Sequence, residues 1–429
     1  MNSATQASQP LVKVCLGDVS EITMGQSPDS ANLNTSENGL PFLQGCAEFG
    51  RKSPQTAVYC NPPLRTSKPE SILISVRAPV GTLNWGEQSY CIGRGLAAIR
   101  AINEVADTGF LLYAISENVN YLHRRSQGST FLAVGGEDLK SLPIPSFRIE
   151  AQHKIARILG TIDQAIEKTQ VLIDKYQQIK AGLMLDLFTR GIGSDGQLRP
   201  PREQSPELYQ ETPIGWIPKE WVFGICEDVC EKIIDCKNRT PPITPDGHPV
   251  IRTPNVRNGT FVDEGLVYTD ARSYLIWTAR GAPQPGDIVI TREAPVGEVC
   301  KIPKCHEYAC LGQRMMLYRV DQEKIVNDFF LYVLQSDAIQ NRLDLISGGS
   351  TVGHVRVGDI KNLWIFYPES REEQSRISSA LNTISAKIDN ETLVLSKLKK
   401  RKSGLMHDLL TGKVPLRVES DEEQAVETA

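Results

Sequence analysis

The eight residues GLMLDLFT, Gly182 to Thr189, return near the far end of the chain as GLMHDLLT, Gly404 to Thr411, with six of eight positions identical at an offset of 222. A chain that writes one helical phrase twice at that distance is constrained to fold as a duplication, and internal repeats are the first pattern to search for. The match extends over the whole length. RAPVG (Arg77 to Gly81) pairs with EAPVG (Glu293 to Gly297), and YCIGRGLAAIRA (Tyr90 to Ala101) with YACLGQRMMLYRV (Tyr308 to Val320). GFLLYAIS (Gly109 to Ser116) pairs with DFFLYVLQ (Asp328 to Gln335), and SQGSTFLAVGGEDLKSLPI (Ser126 to Ile144) with SGGSTVGHVRVGDIKNLWI (Ser347 to Ile365). The offset drifts from 216 to 222 and then holds at 222 from Gln152 and Gln374 onward.

Each repeat has two pieces. The first is globular, with short β-rich runs such as SILISV (Ser71 to Val76) and DIVIT (Asp287 to Thr291) broken by Gly and Pro. With helical stretches such as that around Tyr113, these runs predict a mixed α+β domain. The second piece is a long helix. Ile155, Leu159, Ile162, Ile166, Thr169, Ile173 and Tyr176 recur at 4-3 spacing, and so do Ile377, Leu381, Ile384, Ile388, Glu391, Leu395 and Leu398. A sustained 4-3 stripe is a coiled-coil seam, imperfect here at the same place in both copies, Thr169 and Glu391. Pro143 and Pro145 stop the strand before the first helix, Ser370 and Glu373 have capping-box spacing, and Gly191 and Gly412 fall where a glycine ends a helix. A helix of about 40 residues is roughly 60 Å long. Such a stripe must be covered, and two helices of equal length in one chain can cover each other.

The expected architecture is therefore α+β: two mixed α/β globular domains in tandem repeat, separated by two long helices packed as an antiparallel coiled coil, with pseudo-two-fold symmetry. The expected division is a disordered leader (1–10), a globular domain (11–148), a central helix (149–190), a linker (191–218), a second globular domain (219–370), a C-terminal helix (371–412) and an acidic tail (413–429). The 429 residues suit two or three domains, and 40% hydrophobic with 23% charged residues is ordinary for a soluble protein. No apolar run approaches a bilayer span, and MNSATQASQP lacks the basic and apolar regions of a signal peptide, so a cytoplasmic chain without membrane association is expected. The ten cysteines include two clusters, Cys226, Cys230, Cys236 and Cys300, Cys305, Cys310, but no C-x2-C pair. Reduced, buried thiols are expected rather than a metal site.

Catalytic tools are missing. There is no G-x4-G-K-[ST] loop. GIGSDG (Gly191 to Gly196) follows a helix, whereas a dinucleotide fingerprint follows a strand. NPPL (Asn61 to Leu64) resembles the Asn-Pro-Pro-aromatic motif of DNA amino-methyltransferases, but Leu64 cannot stack on a base. CIGRG (Cys91 to Gly95) loses its second glycine in the other copy, and His153 and His407 lie on the long helices without a Ser or Cys nucleophile. No catalytic residue and no cofactor or metal site is assigned to this chain. Two diverged domains on a stiff spacer suit a two-part reader better than one active site.

The order domain–helix–domain–helix resembles the specificity (S) subunit of Type I restriction-modification enzymes from about Leu11 to about Thr411. The resemblance rests on the Gly-Ser-Thr segments before DLKSLPIP and DIKNLWIF, the helix starts EAQHKIARIL and EEQSRISSAL, the segment TPIGWIPKEW, and the GLMxDLxT ends. It implies that the globular pieces are target-recognition domains, each reading one half of an asymmetric, bipartite site in double-stranded DNA. It implies that the helices set the gap and bind two modification (methyltransferase) subunits. Restriction/translocase subunits would supply ATP-driven translocation and cleavage, so S-adenosylmethionine, ATP and Mg2+ belong to those partners. One scaffold can place two readers about one DNA turn apart, roughly 34–36 Å. A self-contained methyltransferase and a non-DNA coiled-coil scaffold are the rival readings.

A formal net charge of −4 requires DNA binding to use local basic patches. Base edges are read by side chains with paired donors or acceptors, chiefly Arg, Lys, Asn and Gln, and phosphates by Arg, Lys, Ser and Thr. At matched loop positions the candidates are Gln44 with Arg252, Arg77 near Arg292, and Arg94 with Gln313 and Arg314. Ser129 and Thr130 match Ser350 and Thr351. Changed chemistry at a matched position suits half-sites of different sequence.

Overall fold

The computed structural model describes residues 12–126, 133–348 and 353–414. The leader assigned to 1–10 lies outside these residues, as does the acidic tail beyond Val414. The chain divides into two compact units: unit 1 is Met1–Val171 with Leu393–Ala429, and unit 2 is Leu172–Thr392. Each long helix, Ile149–Thr189 and Arg371–Leu410, therefore contributes one part to each unit. The segments assigned in the sequence to separate helical spacers complete the cores of the globular domains.

The main sheet of unit 1 has the strand order Ser20–Met24, Leu96–Ala101, Ser71–Ser75, Leu83–Gly86, all antiparallel. Unit 2 repeats the order with Cys230–Asp235, Met315–Val320, Ile288–Arg292, Val296–Lys301. The strands Ser71–Ser75 and Ile288–Arg292 are buried along their whole length, which explains why they read as continuous rather than alternating apolar runs. A smaller sheet in each unit contains one parallel pair, Leu40–Leu43 with Cys91–Ile92 and His248–Ile251 with Cys310–Leu311. A third pair closes each globular part: Lys13–Cys15 with Pro143–Pro145, and Trp221–Ile225 with Trp364–Pro368. Pro143 and Pro145 do not stop a strand; they form one, at an edge where a missing N–H is tolerated.

Neither long helix contains proline, and the stripe residues are those that lose solvent. Ile155, Leu159, Ile173, Ile377, Leu381, Ile384 and Leu395 are buried, and Ile162, Ile166, Tyr176, Ile388 and Leu398 are half-buried. The polar stripe position Thr169 donates its hydroxyl to the Ala165 carbonyl at 2.8 Å. In unit 1, Ile155 and Leu159 share a core with Met406, Leu409 and Leu410, so the start of one helix lies beside the end of the other and they run antiparallel. In unit 2, Ile377 and Leu381 share a core with Leu187 and Phe188 in the same sense. There Phe188 meets Phe329 and Phe366 at ring separations of 5.5 and 6.1 Å. Burying one such side chain contributes about 1.5–3 kcal/mol. The repeated phrase is thus a plug: Leu187-Phe188 and Leu409-Leu410 are the apolar ends that fill a globular core. Gly191 (φ 65°) and Gly412 (φ 70°) then turn the chain in a left-handed conformation that suits glycine.

The helices are bolted to the globular parts by the same polar residues twice. Gln152 accepts from the Asp107 amide at 3.0 Å and donates to the Phe147 carbonyl at 2.9 Å. Gln374 accepts from the Val326 amide at 2.7 Å and donates to the Pro368 carbonyl at 2.8 Å. The Tyr113 hydroxyl donates to Asp163 at 2.7 Å, and Lys402 lies 5.3 Å from the tyrosine ring centre and pairs with Asp163 at 2.5 Å. The Tyr332 hydroxyl meets Asn382 at 2.9 Å and Ser385 at 3.1 Å, with Lys180 5.4 Å from its ring centre. Burial lowers the Lys180 pKa, opposed by the charge of Asp389.

One feature is found, among the described residues, in unit 2 alone. The Glu373 amide donates to the Ser370 hydroxyl at 3.4 Å, one half of the expected capping box, while its carboxylate is drawn to a buried guanidinium. Arg199 donates to both Glu373 oxygens at 2.6 and 2.9 Å and to Glu220 at 2.7 Å. Glu373 also accepts from the Ile192 amide at 2.9 Å and the Trp221 indole at 3.1 Å. These bonds, led by that to Glu373, raise the Arg199 pKa and keep it charged. The segment expected as a plain linker is consequently held down near its start, and it carries a hairpin, Tyr209–Thr212 with Gly215–Pro218. In the first repeat the position matching Glu373 is Ala151.

Candidate nucleic-acid interface

Four loops meet at one end of the unit 1 sheet. Strand Leu40–Leu43 leads into Gln44, and Gly93 donates its amide to the Leu43 carbonyl at 2.8 Å. The contact needs glycines: a Cβ at Gly95 would stand 2.6 Å from the Gln44 carbonyl oxygen, and one at Gly93 would stand 2.9 Å from its side-chain oxygen. The loop after Ser20–Met24 supplies Ser27, whose hydroxyl lies 3.3 Å from the Gln44 amide nitrogen and accepts from the Arg94 amide at 3.4 Å. Val76 donates to the Gly95 carbonyl at 2.9 Å and so brings Arg77 to the same edge. Gln44, Arg77 and Arg94 are all exposed, and neither arginine is ion-paired among the described residues. Paired amide donors and two unneutralised guanidinium groups on adjoining loops can recognise base edges and phosphates.

The matching edge of unit 2 is built on the same backbone with different chemistry. Gly312 donates to the Ile251 carbonyl at 2.8 Å, and Arg292 to the Arg314 carbonyl at 2.9 Å. The APVG turns also agree: the Ser75 hydroxyl donates to the Pro79 carbonyl and accepts from Thr82, and the Thr291 hydroxyl donates to the Pro295 carbonyl and accepts from Glu298. The side chains do not agree. Arg252, the counterpart of Gln44, turns inward and donates to the Gly265 carbonyl at 2.7 Å. Arg292 is 7% exposed, its guanidinium directed at the Val355 carbonyl. The expectation that Arg292 stands at the surface like Arg77 is corrected: it ends a fully buried strand, and the true counterpart of Arg77 is Glu293. Glu293 pairs with Arg314 at 2.7 Å and His354 at 2.6 Å. Arg314 has φ 71°, an uncommon conformation for a residue with a Cβ. Among the described unit 2 candidates, Gln313 alone is exposed and has no ionic partner. Ser129, Thr130, Ser350 and Thr351 lie outside the described residues.

The sequence reading missed Ser27 and the buried junction residues. Gln152/Gln374, Tyr113/Tyr332 and Lys180/Lys402 are identical at matched positions of the repeat; that identity was the available signal. The cysteines are free, and burial pushes the thiols of Cys230, Cys300 and Cys310 up to about 12. Among the described residues no group of three His, Cys, Asp or Glu could hold a metal, and no helix is long and apolar enough to cross a membrane.

Comparison with known proteins gives a consistent result. A family model described as the Type I restriction modification DNA specificity domain matches residues 9–175 and 218–400, once in each repeat. A putative type I restriction enzyme MjaX specificity subunit from Methanocaldococcus jannaschii is 41% identical over 172 residues, which span 40% of this chain and 40% of that one. The MjaVIII specificity subunit of the same organism is 24% identical over 319 residues, covering 73% of this chain and 72% of that one. The crystal structure of a Type I restriction-modification system S subunit from M. genitalium shares the fold, with a TM-score of 0.62 at 13% identity, covering 96% of this chain and 98% of that one.

Proposed function

The chain belongs to the Type I restriction modification DNA specificity family, and on that premise we propose that it is the sequence-specific subunit that reads a bipartite, asymmetric DNA site, one half per unit. The observation that carries the reading is the matched loop edge. One backbone presents Gln44, Arg77 and Arg94 in unit 1 and Gln313, Glu293 and Arg314 in unit 2. Identical readers would recognise a symmetric site; different readers recognise two different half-sites.

In this reading the chain is non-catalytic. The long helices carry two methyltransferase subunits, separate restriction/translocase subunits act through them, and S-adenosylmethionine, ATP and Mg2+ are bound by those partners in the cytoplasm. The test is co-expression with the neighbouring methyltransferase, followed by genome-wide methyl-adenine mapping. A bipartite motif that disappears when this chain is deleted is expected. Unchanged methylation after deletion favours a scaffold, and robust methylation by the purified chain alone favours an intrinsic methyltransferase; either outcome defeats the proposal.

A further inference from the structure

Charge is scarce where unit 2 should grip DNA. Arg252 is bonded to the Gly265 carbonyl, Arg292 is buried and Arg314 is neutralised by Glu293. The backbone match shows where replacement charge lies. Gly25 donates to the Leu96 carbonyl at 2.9 Å in unit 1, and Cys236 to the Met315 carbonyl at 3.1 Å in unit 2. The residues that follow, Gln26-Ser27-Pro28 and Lys237-Asn238-Arg239, therefore leave the sheet at the same place. Ser27 touches the Arg94 loop; in unit 2 the Gln313 amide, counterpart of Arg94, lies 3.5 Å from the Thr240 hydroxyl.

Resting on the function proposed above, we infer that the loop Lys237-Asn238-Arg239-Thr240, braced on Trp277, is the phosphate-gripping element of the second half. The Trp277 indole donates to the Arg239 carbonyl at 2.9 Å. Its ring centre lies 5.2 Å from the Lys237 ammonium and 5.3 Å from the Arg239 guanidinium. A cation over an aromatic face is held in place with no opposite charge beside it, unlike a cation paired with a carboxylate. Asp235, the nearest acid in sequence, is already engaged by Arg280 at 2.5 Å. Two fixed, unneutralised cations beside an exposed asparagine and a hydroxyl form a site for the backbone phosphates of duplex DNA flanking the bases that Gln313 meets.

The test uses the full chain in complex with its methyltransferase subunits. Binding is measured as a function of salt on a duplex carrying the methylated motif and on one with the second half-site scrambled. Lys237→Gln and Arg239→Gln should each weaken binding to both duplexes alike and lower the salt slope by about 0.9, with the base preference unchanged. Arg239→Lys, which keeps the charge, should retain the wild-type slope. An unchanged slope in both glutamine variants overturns the inference. So does relaxed preference at one base pair with Arg239→Lys, which makes Arg239 a base reader. If the wild-type complex does not distinguish the two duplexes, the functional reading fails, not the loop assignment.

Discussion

At the junction with the long helices the two units keep the same anchoring glutamine, tyrosine and lysine, and at the loop edge they keep no such set. Gln152 and Gln374 make the same bonds, Tyr113 and Tyr332 reach the same helical turn, and Lys402 and Lys180 cover the same rings. At the edge, one strand framework carries two free arginines in unit 1 and an acid-bound arginine with a neutral amide in unit 2. The difference follows from what each region must satisfy. Buried polar groups tolerate few arrangements, because an unpaired donor or acceptor costs about 1–3 kcal/mol. Exposed loop side chains answer to a ligand and are free to differ.

The largest test of this contrast is Glu373, a junction residue whose matched position in the first repeat holds Ala151. Glu373→Ala leaves the buried Arg199 with the exposed Glu220 as its remaining carboxylate and strips the Ile192 amide and Trp221 indole of their acceptor, and roughly 3–5 kcal/mol of stability should be lost from unit 2. Hydrogen exchange resolved by peptide measures it, and a loss spread equally over unit 1 would contradict the assignment. Next, Gln152→Ala and Gln374→Ala should each cost about 1–3 kcal/mol, confined to the unit that holds the residue. Markedly unequal costs would break the equivalence of the two glutamine anchors. At the edge, Arg94→Ala should cost about 1–3 kcal/mol in DNA binding and relax one position of one half-site, while Gln313→Ala affects only the other half. Sequencing of selected duplexes reads both; relaxation at both halves by either variant would refute the division. The smallest effect belongs to Lys402→Met, which removes a cation from the Tyr113 face and a partly exposed partner from Asp163, and should cost about 1 kcal/mol. Thermal melting that leaves Lys402→Met equal to the parent would assign the lysine to the solvent.

The heptad stripe was legible because period alone fixes which helix face is apolar; its twelve apolar positions are buried or half-buried. What covers that face was not legible. The first turns and last turns of each helix enter globular cores, since Ile155 and Leu159 meet Phe110 and Leu111 as well as the other helix. The depth of Arg292 was hidden because the apolar run reads as ending at Thr291, while the strand continues one residue further. The direction of Arg252 depends on the Gly265 carbonyl, a contact between loops that no local pattern records. Lys237 and Arg239 carry no signal in the repeat because the two copies share no residues there to align.

The division of the helices between units has a consequence for the order of manufacture. Unit 2 is a continuous stretch, Leu172–Thr392, and owns every residue of its core when the last of these has been joined. Unit 1 is begun first, yet its core includes Met406, Leu409 and Leu410. While a ribosome makes this chain, Ile155 and Leu159 can meet Phe110 and Leu111 at once but must wait for Met406, Leu409 and Leu410 before that core is complete. The part translated earliest is thus the part completed last, and its exposed apolar stripe is the nascent protein's most vulnerable surface until the second copy of the helical phrase emerges.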